Sequence, residues 1–196
     1  MKDYKTIKQL PFGKLNGISE KTISAHYEKL YQGYVKKWAE IQEKLSLSDK
    51  SLANATYSEI RELKIEEGFA SNAILLHEAY FDMLGGDGNA QGEIIEAISK
   101  DFQSLEKWQE EFKSLGLASR GWVILTYDFN DGKLHNYICD AHNQGGVWGT
   151  APILVLDTYE HAYFSDYGSD KKSYIEVFFK NLNWQTVNKK FLKLKR

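Results

Sequence analysis

The chain has 196 residues, 42% of them hydrophobic, 14% aromatic and 27% charged, with only two prolines. That balance belongs to an ordered globular protein with a substantial core and excludes a disordered or low-complexity chain. A formal net charge of −2 offers no global basic field for nucleic acid, and a single cysteine, Cys139, excludes an intrachain disulfide and suits a reducing compartment.

The opening MKDYKTIKQLPFGK has no apolar h-region, and no segment has the length needed to span a bilayer, so a cytoplasmic protein without a membrane partner is expected. From Ser19, a plausible N-cap, SEKTISAHYEKLYQGYVKKWAEIQEKL carries apolar and aromatic residues at helical spacing. His26, Leu30 and Tyr34 stand four apart and share one face. A second helical pattern begins near Asp49, runs through LANATYSEIRELKI and FASNAILLHEAYFDML, is expected to break near Gly68, and stops at the GGDG of Gly85 to Gly88. Two amphipathic helices follow, EIIEAISKDF and SLEKWQEEFKSLG, the latter capped by Ser104.

After Gly116 the texture changes. GWVILTYDF and KLHNYICDA are rich in β-branched and aromatic residues and flank NDG, which reads as a hairpin turn. APILVLD is a third strand, apolar enough to suggest a central position. Helical periodicity returns in KKSYIEVFFKNL and NWQTVNKKFLKL. The expectation is an α+β protein: an N-terminal antiparallel helical hairpin domain over 1–88, and a C-terminal α+β domain with a three-stranded antiparallel sheet over 89–196. The basic NKKFLKLKR at the C-terminus reads as a solvated helix end.

Chemistry enters through five histidines, His26, His77, His135, His142 and His161. His26 and His77 lie on different helices, and His161 follows the apolar strand that ends in Asp157. A site between the two halves could collect all four, giving three imidazoles and a carboxylate, a donor set suited to Fe, Mn, Zn or Co rather than Ca or Mg. The bland alternative stands beside it. A lone histidine on an apolar helix is more often a hydrogen-bonded core residue, and Asp157 alone could be an N-cap. Spacing leaves both readings open.

The segment DTYEHAYFSDY resembles the D-x-W-E-H-A-Y-Y signature of the iron/manganese superoxide dismutase family, with Tyr159 in place of the usual tryptophan. AHYEKLYQGYV is similar to its first-helix motif, LLHEAYF to its second-helix motif, GWVIL to the strand bearing a pocket tryptophan, and SYIEVFFKNLNWQTV to its penultimate helix. The match runs in order from about Leu10 to the C-terminus.

The resemblance implies one Fe or Mn ion per subunit, bound by His26, His77, Asp157 and His161, and redox cycling that converts superoxide to dioxygen and hydrogen peroxide. It implies roles around the metal for Tyr34 at the substrate entrance and for the aromatics Phe81, Trp122 and Tyr159. The family glutamine that links solvent in the site to that tyrosine is missing from its helical position, which is Ala73 here. The loop DAHNQGGVWGTAP offers His142 or Gln144 instead, with His142 slightly preferred.

The resemblance also implies a homodimer, with a tetramer as the alternative, in which Glu160 of one subunit bridges to ligand His161 of the other. Leu30 and Phe164 replace a histidine and tyrosine that usually hydrogen-bond across that interface, and a paired apolar change keeps such a contact without stranding a polar group. Lys29 and Lys171 match basic residues that guide the anionic substrate, while Trp148 and Trp184 are assigned to core or loop packing. Two other readings are a non-catalytic relative that keeps the fold and a different mononuclear metalloenzyme on it. Retention of all four ligands argues against the first; Ala73 and Leu30 keep the second open.

Overall fold

The computed structural model describes residues 3–195. The chain enters helix at α1 (Glu20–Ser24), where the Ser19 hydroxyl accepts the Thr22 backbone N–H at 3.1 Å, a cap worth about 0.5–2 kcal/mol. Winding then loosens into a π-helical segment, Ala25–Tyr31, before tightening again in α2 (Gln32–Leu47). In uninterrupted α-helix, residues eight apart are about 80° out of phase. The looser winding brings His26 and Tyr34 closer to one line, and π-helical insertions are often found at functional sites.

A short turn at Lys50–Leu52, fixed by the Asp49 carboxylate, precedes α3 (Glu59–Asp82), which packs antiparallel to α2. The expected break at Gly68 does not occur: α3 is continuous, because one glycine weakens a long helix by only about 1 kcal/mol and the packed face on either side carries it through. The helix also starts ten residues later than the pattern suggested, at Glu59.

Helices α4 (Glu93–Phe102) and α5 (Leu105–Ala118) follow, with Ser104 capping the second through the Lys107 N–H. Strands β1 (Trp122–Asp128), β2 (Lys133–Cys139) and β3 (Thr150–Asp157) form one antiparallel sheet in the order β2-β1-β3. Thus β1 is central and β3 lies at an edge, contrary to the expectation from its apolar run. Pro152 is the reason: proline has no N–H for a second neighbour and is confined to edges and bulges, and the β1–β3 register slips between Leu125 and Thr126, where Thr126 faces Pro152. The apolar run of β3 is buried by helix packing instead, notably from α3 and α8.

The chain closes with a 3₁₀ turn at Glu160–Ala162, a short helix α6 (Phe164–Tyr167), α7 (Lys171–Lys180) and α8 (Trp184–Leu194). One hydrophobic cluster runs through both halves, with Ile74 and Tyr80 of α3 buried alongside Trp108, Phe112, Val155, Phe178 and Phe191. No helix among the described residues is long and apolar enough to cross a membrane. Trp184 is buried, but Trp148 is 96% exposed, so its assignment to packing does not hold; it projects from the loop between β2 and β3.

Candidate metal centre

Four elements converge on one carboxylate. The sheet register sets Trp122, the first residue of β1, directly opposite Asp157, the last of β3, so both side chains leave the same face of the sheet. Above that face lies α3 with His77, and beside it the π-helical segment with His26. The 3₁₀ turn after β3 returns His161 to within reach. The Nε2 atoms of His26, His161 and His77 lie 3.1, 3.2 and 3.9 Å from Asp157 Oδ2. All four donor atoms fall within 4.8 Å of one another.

Asp157 performs two jobs, one per oxygen. Its Oδ1 accepts the Tyr159 N–H at 2.9 Å, which shapes the turn that carries His161, while Oδ2 faces the imidazoles. Asp157 is thus not a helix N-cap, since the 3₁₀ segment begins after Tyr159; its Oδ1 forms an Asx turn just before that segment. Behind it, the Tyr174 hydroxyl donates to the Asp157 carbonyl at 2.8 Å and is itself met by the Tyr80 hydroxyl at 3.1 Å, all fully buried.

His26, His77 and Asp157 have no exposed side-chain surface, and His161 retains 26%. Burial lowers the pKa values of His26 and His77, so both imidazoles are neutral at physiological pH. Burial alone would raise the pKa of Asp157, but His161, through charge and a hydrogen bond, and then His26 hold it far below the carboxylate range. For His161 burial is likewise outweighed, here by Asp157, and its pKa rises. Neutral imidazole and ionised carboxylate are the forms a metal requires.

The His77 Nδ1–H donates to the Ala73 carbonyl at 2.6 Å, which fixes the tautomer and leaves Nε2 as a lone pair pointing into the cluster. Yet among the described residues the buried Nε2 atoms of His26 and His77 have no hydrogen-bond partner; His26 approaches Asp157 without hydrogen-bond alignment. Each stranded atom costs about 1–3 kcal/mol in a buried setting. A cation seated among the four donors would satisfy both at once, so the residues fit a metal ion. Among the described residues His26 Nδ1 is unpartnered as well.

Aromatic rings enclose the cluster. Phe81 stands 5.0 Å from His26, Trp122 5.1 Å from His77, and Tyr159 stacks on His161 at 5.2 Å, centroid to centroid. His142 is 4% exposed and lies among Tyr34, Trp122 and Tyr159. The Trp122 Nε1–H donates to His142 Nδ1 at 3.0 Å, and because Nδ1 accepts, the neutral ring carries its proton on Nε2 and donates it to the Tyr34 hydroxyl, also at 3.0 Å. Tyr34 is thereby left free to donate its own O–H elsewhere. Burial lowers the pKa of His142 to about 4 and raises that of Tyr34.

Gln144, the alternative to His142, is exposed on the far side of a narrow turn and does not join the cluster. The turn closes on β2 through Gly145, whose φ of +87° and close approach to the Ile138 carbonyl leave no room for a side chain. Glu160 and Lys29 are exposed, Phe164 is 54% exposed and Leu30 is half-buried. Lys171 is half-buried, and its ammonium donates to the carbonyls of Gly116 and Ser119 at 3.2 and 2.6 Å. His135, outside the site, pairs with Asp131 at 2.9 Å. Sequence reasoning gave no role to Phe69, whose ring lies 4.6 Å from His142, or to the Ala73 carbonyl; an aromatic and an alanine on a helix carry no signal beyond ordinary packing.

Residues 90–190 match the family model described as iron/manganese superoxide dismutases, C-terminal domain. Over 184 residues the chain is 46% identical to superoxide dismutase [Fe] of Aquifex aeolicus, covering 91% of this chain and 86% of the relative. It is 42% identical to superoxide dismutase [Fe] of Cupriavidus metallidurans, covering 91% and 90%. It is 32% identical to superoxide dismutase [Mn] 1 of Halobacterium salinarum, covering 89% and 86%.

Proposed function

The chain belongs to the iron/manganese superoxide dismutase family, and from that premise we propose that it converts superoxide to dioxygen and hydrogen peroxide with one iron or manganese ion per subunit, held by His26, His77, Asp157 and His161. The observation that carries the reading is the convergence of three imidazoles on Asp157 Oδ2, two of them with buried nitrogens that nothing among the described residues satisfies. When bound, the ion supplies a one-electron couple that successive superoxide anions reduce and reoxidise, two protons being consumed per cycle.

The protein's own groups do the rest. Asp157 would supply the only negative charge among the four donors, so a bound di- or trivalent ion would leave the site net positive toward an anionic substrate. Trp122, Phe81 and Tyr159 exclude bulk water. The chain Trp122 to His142 to Tyr34 places a phenol with a free O–H donor at the edge of the site, where it can hold a proton for the reacting oxygen. Lys29 and Lys171 add local positive field in a chain of net −2.

The test is superoxide turnover of metal-free protein reconstituted separately with iron and manganese. Activity with neither, at one bound ion per chain, would overturn the assignment. The four retained ligands and the identity of the relatives leave a non-catalytic scaffold or a different metalloenzyme disfavoured.

The same reading includes a cytoplasmic homodimer, its subunits built from a helical domain over 1–88 and an α+β domain over 89–196. What supports the dimer is the exposed edge of the site: His161 keeps 26% of its side chain exposed, Glu160 next to it is exposed, and Phe164 presents an apolar ring to solvent. A partner's Glu160 meeting His161 would close that edge. Introducing one polar partner alone, Leu30→His, is expected to weaken the dimer by about 1–3 kcal/mol, the cost of burying an unpaired polar group. Sedimentation across a dilution series reads this shift, and a wild-type metal-loaded chain that stays monomeric at high micromolar concentration excludes the dimer.

A further inference from the structure

His142 sits outside the regular strands, in a narrow turn closed by the isolated bridge between Ala141 and Gln144. That turn places the backbone but leaves the ring free to rotate about the bond that carries it. Both ring nitrogens must nevertheless be placed correctly, Nδ1 toward Trp122 and Nε2 toward Tyr34. A half-turn about the bond to the ring would put carbons at both positions and break both hydrogen bonds.

Side-chain contacts must supply the restraint. Among the aromatic neighbours of His142, Phe69 has the shortest centroid separation, 4.6 Å at an interplanar angle of 67°, against 5.0 Å for Tyr34, 5.2 Å for Tyr159, 5.7 Å for Trp122 and 5.8 Å for His77. Phe69 also meets Tyr34 edge-on at 6.1 Å, so one ring touches both partners of the His142–Tyr34 hydrogen bond. On α3, Phe69, Ala73 and His77 follow at four-residue intervals on one side of the helix. The middle position is a fully buried methyl group, which leaves space beside the helix for an imidazole arriving from the loop. Phe69, half-buried, closes that space from the next turn.

We propose that Phe69 is a positioning residue for His142: its edge-on ring holds the imidazole in the one orientation that accepts from Trp122 and donates to Tyr34. The proposal rests on the hydrogen-bonded chain described above, not on turnover, and its test can be read in a protein that performs no catalysis. The full-length chain loaded with diamagnetic Zn²⁺, which accepts the same imidazole and carboxylate donors, is labelled with ¹⁵N for NMR. In Phe69→Ala, hydrogen exchange at the Trp122 indole N–H is expected to accelerate at least tenfold, and the His142 nitrogens to lose the pattern of a single Nε2–H tautomer, while amide exchange at Leu125 in the centre of β1 is unchanged. Phe69→Tyr, which keeps the ring, restores wild-type behaviour.

A second measurement separates action through His142 from a general effect. With iron bound, Phe69→Ala is expected to shift the midpoint potential in the wild-type background and not in the His142→Ala background. Unchanged indole exchange and tautomer pattern in Phe69→Ala overturn the proposal. So does acceleration shared equally by the Leu125 amide, or a potential shift that persists without His142. If Phe69→Ala does not fold, Phe69→Leu is judged by the same outcomes. Absence of dismutation with iron or manganese would strike the proposed activity and leave the zinc-form result standing.

Discussion

Replacing His77 by alanine is expected to abolish stoichiometric metal binding while the fold survives. His77 is fully buried, its Nδ1 is tied to the Ala73 carbonyl at 2.6 Å, and its Nε2 has no hydrogen-bond partner among the described residues. Groups that merely orient a ligand already cost about 10–100-fold in metal affinity when removed, and loss of a donor should exceed that. For the metal-free chain two effects oppose each other: alanine removes a stranded polar atom worth about 1–3 kcal/mol but opens a cavity beside Trp122 and Phe81. The metal-free melting temperature should therefore change little, whereas the stabilisation that wild type gains on adding metal should vanish. Elemental analysis per chain and melting curves with and without metal check both parts. A His77→Ala protein with wild-type metal content would remove His77 from the site.

The second large effect concerns His142. His142→Ala cuts the link between Trp122 and Tyr34 and should lower turnover by about 10–100-fold with metal content maintained, since the four donors are untouched. Gln144→Ala should change neither. His142→Gln should keep much of the activity, because an amide oxygen can accept from Trp122 while its NH₂ donates to Tyr34.

The same substitutions separate a pH effect. The pKa of His142 falls from 6.5 to about 4 on folding, through burial. Between those values the unfolded chain binds the proton and the folded chain does not, so stability falls as pH drops through that window and is not further affected by this group below pH 4. His142→Gln lacks the titration, and its unfolding free energy from urea titrations should fall less steeply over that range. Parallel profiles for wild type and His142→Gln would show that the ring is not buried neutral.

How much of this was readable beforehand depends on whether a periodicity carried the residue. Ser19 and Ser104 were legible as caps because helix starts have a fixed side-chain chemistry, and their hydroxyls accept the backbone N–H of Thr22 and Lys107. His26 and His77 could be placed on separate helices, but their meeting at Asp157 spans the fold; spacing left that meeting open, and the family motifs, most specifically the one around Asp157, pointed to it. The π-helical winding at Ala25–Tyr31 was hidden because its apolar spacing resembles that of an α-helix. Position 142 against 144 could not be decided from spacing, since a loop has no periodic face; the fold buries one and exposes the other. Pro152 held the information that β3 is an edge strand, and the apolar run around it masked the signal.

The order in which the ligands occur along the chain has a consequence for biosynthesis. His26 and His77 come early, on helices that pack against each other, whereas Asp157 and His161 come only after the whole sheet has been made. Asp157 is the hub that every imidazole faces, so a growing chain bearing the two early histidines holds no more than two neutral donors with no negative charge between them. Such a fragment has little means of retaining a divalent ion against competing ligands in the cell. The complete set of four donors therefore exists only once β3 has docked beside β1, so any choice of ion that depends on all four is made by a nearly finished molecule and not by a nascent peptide.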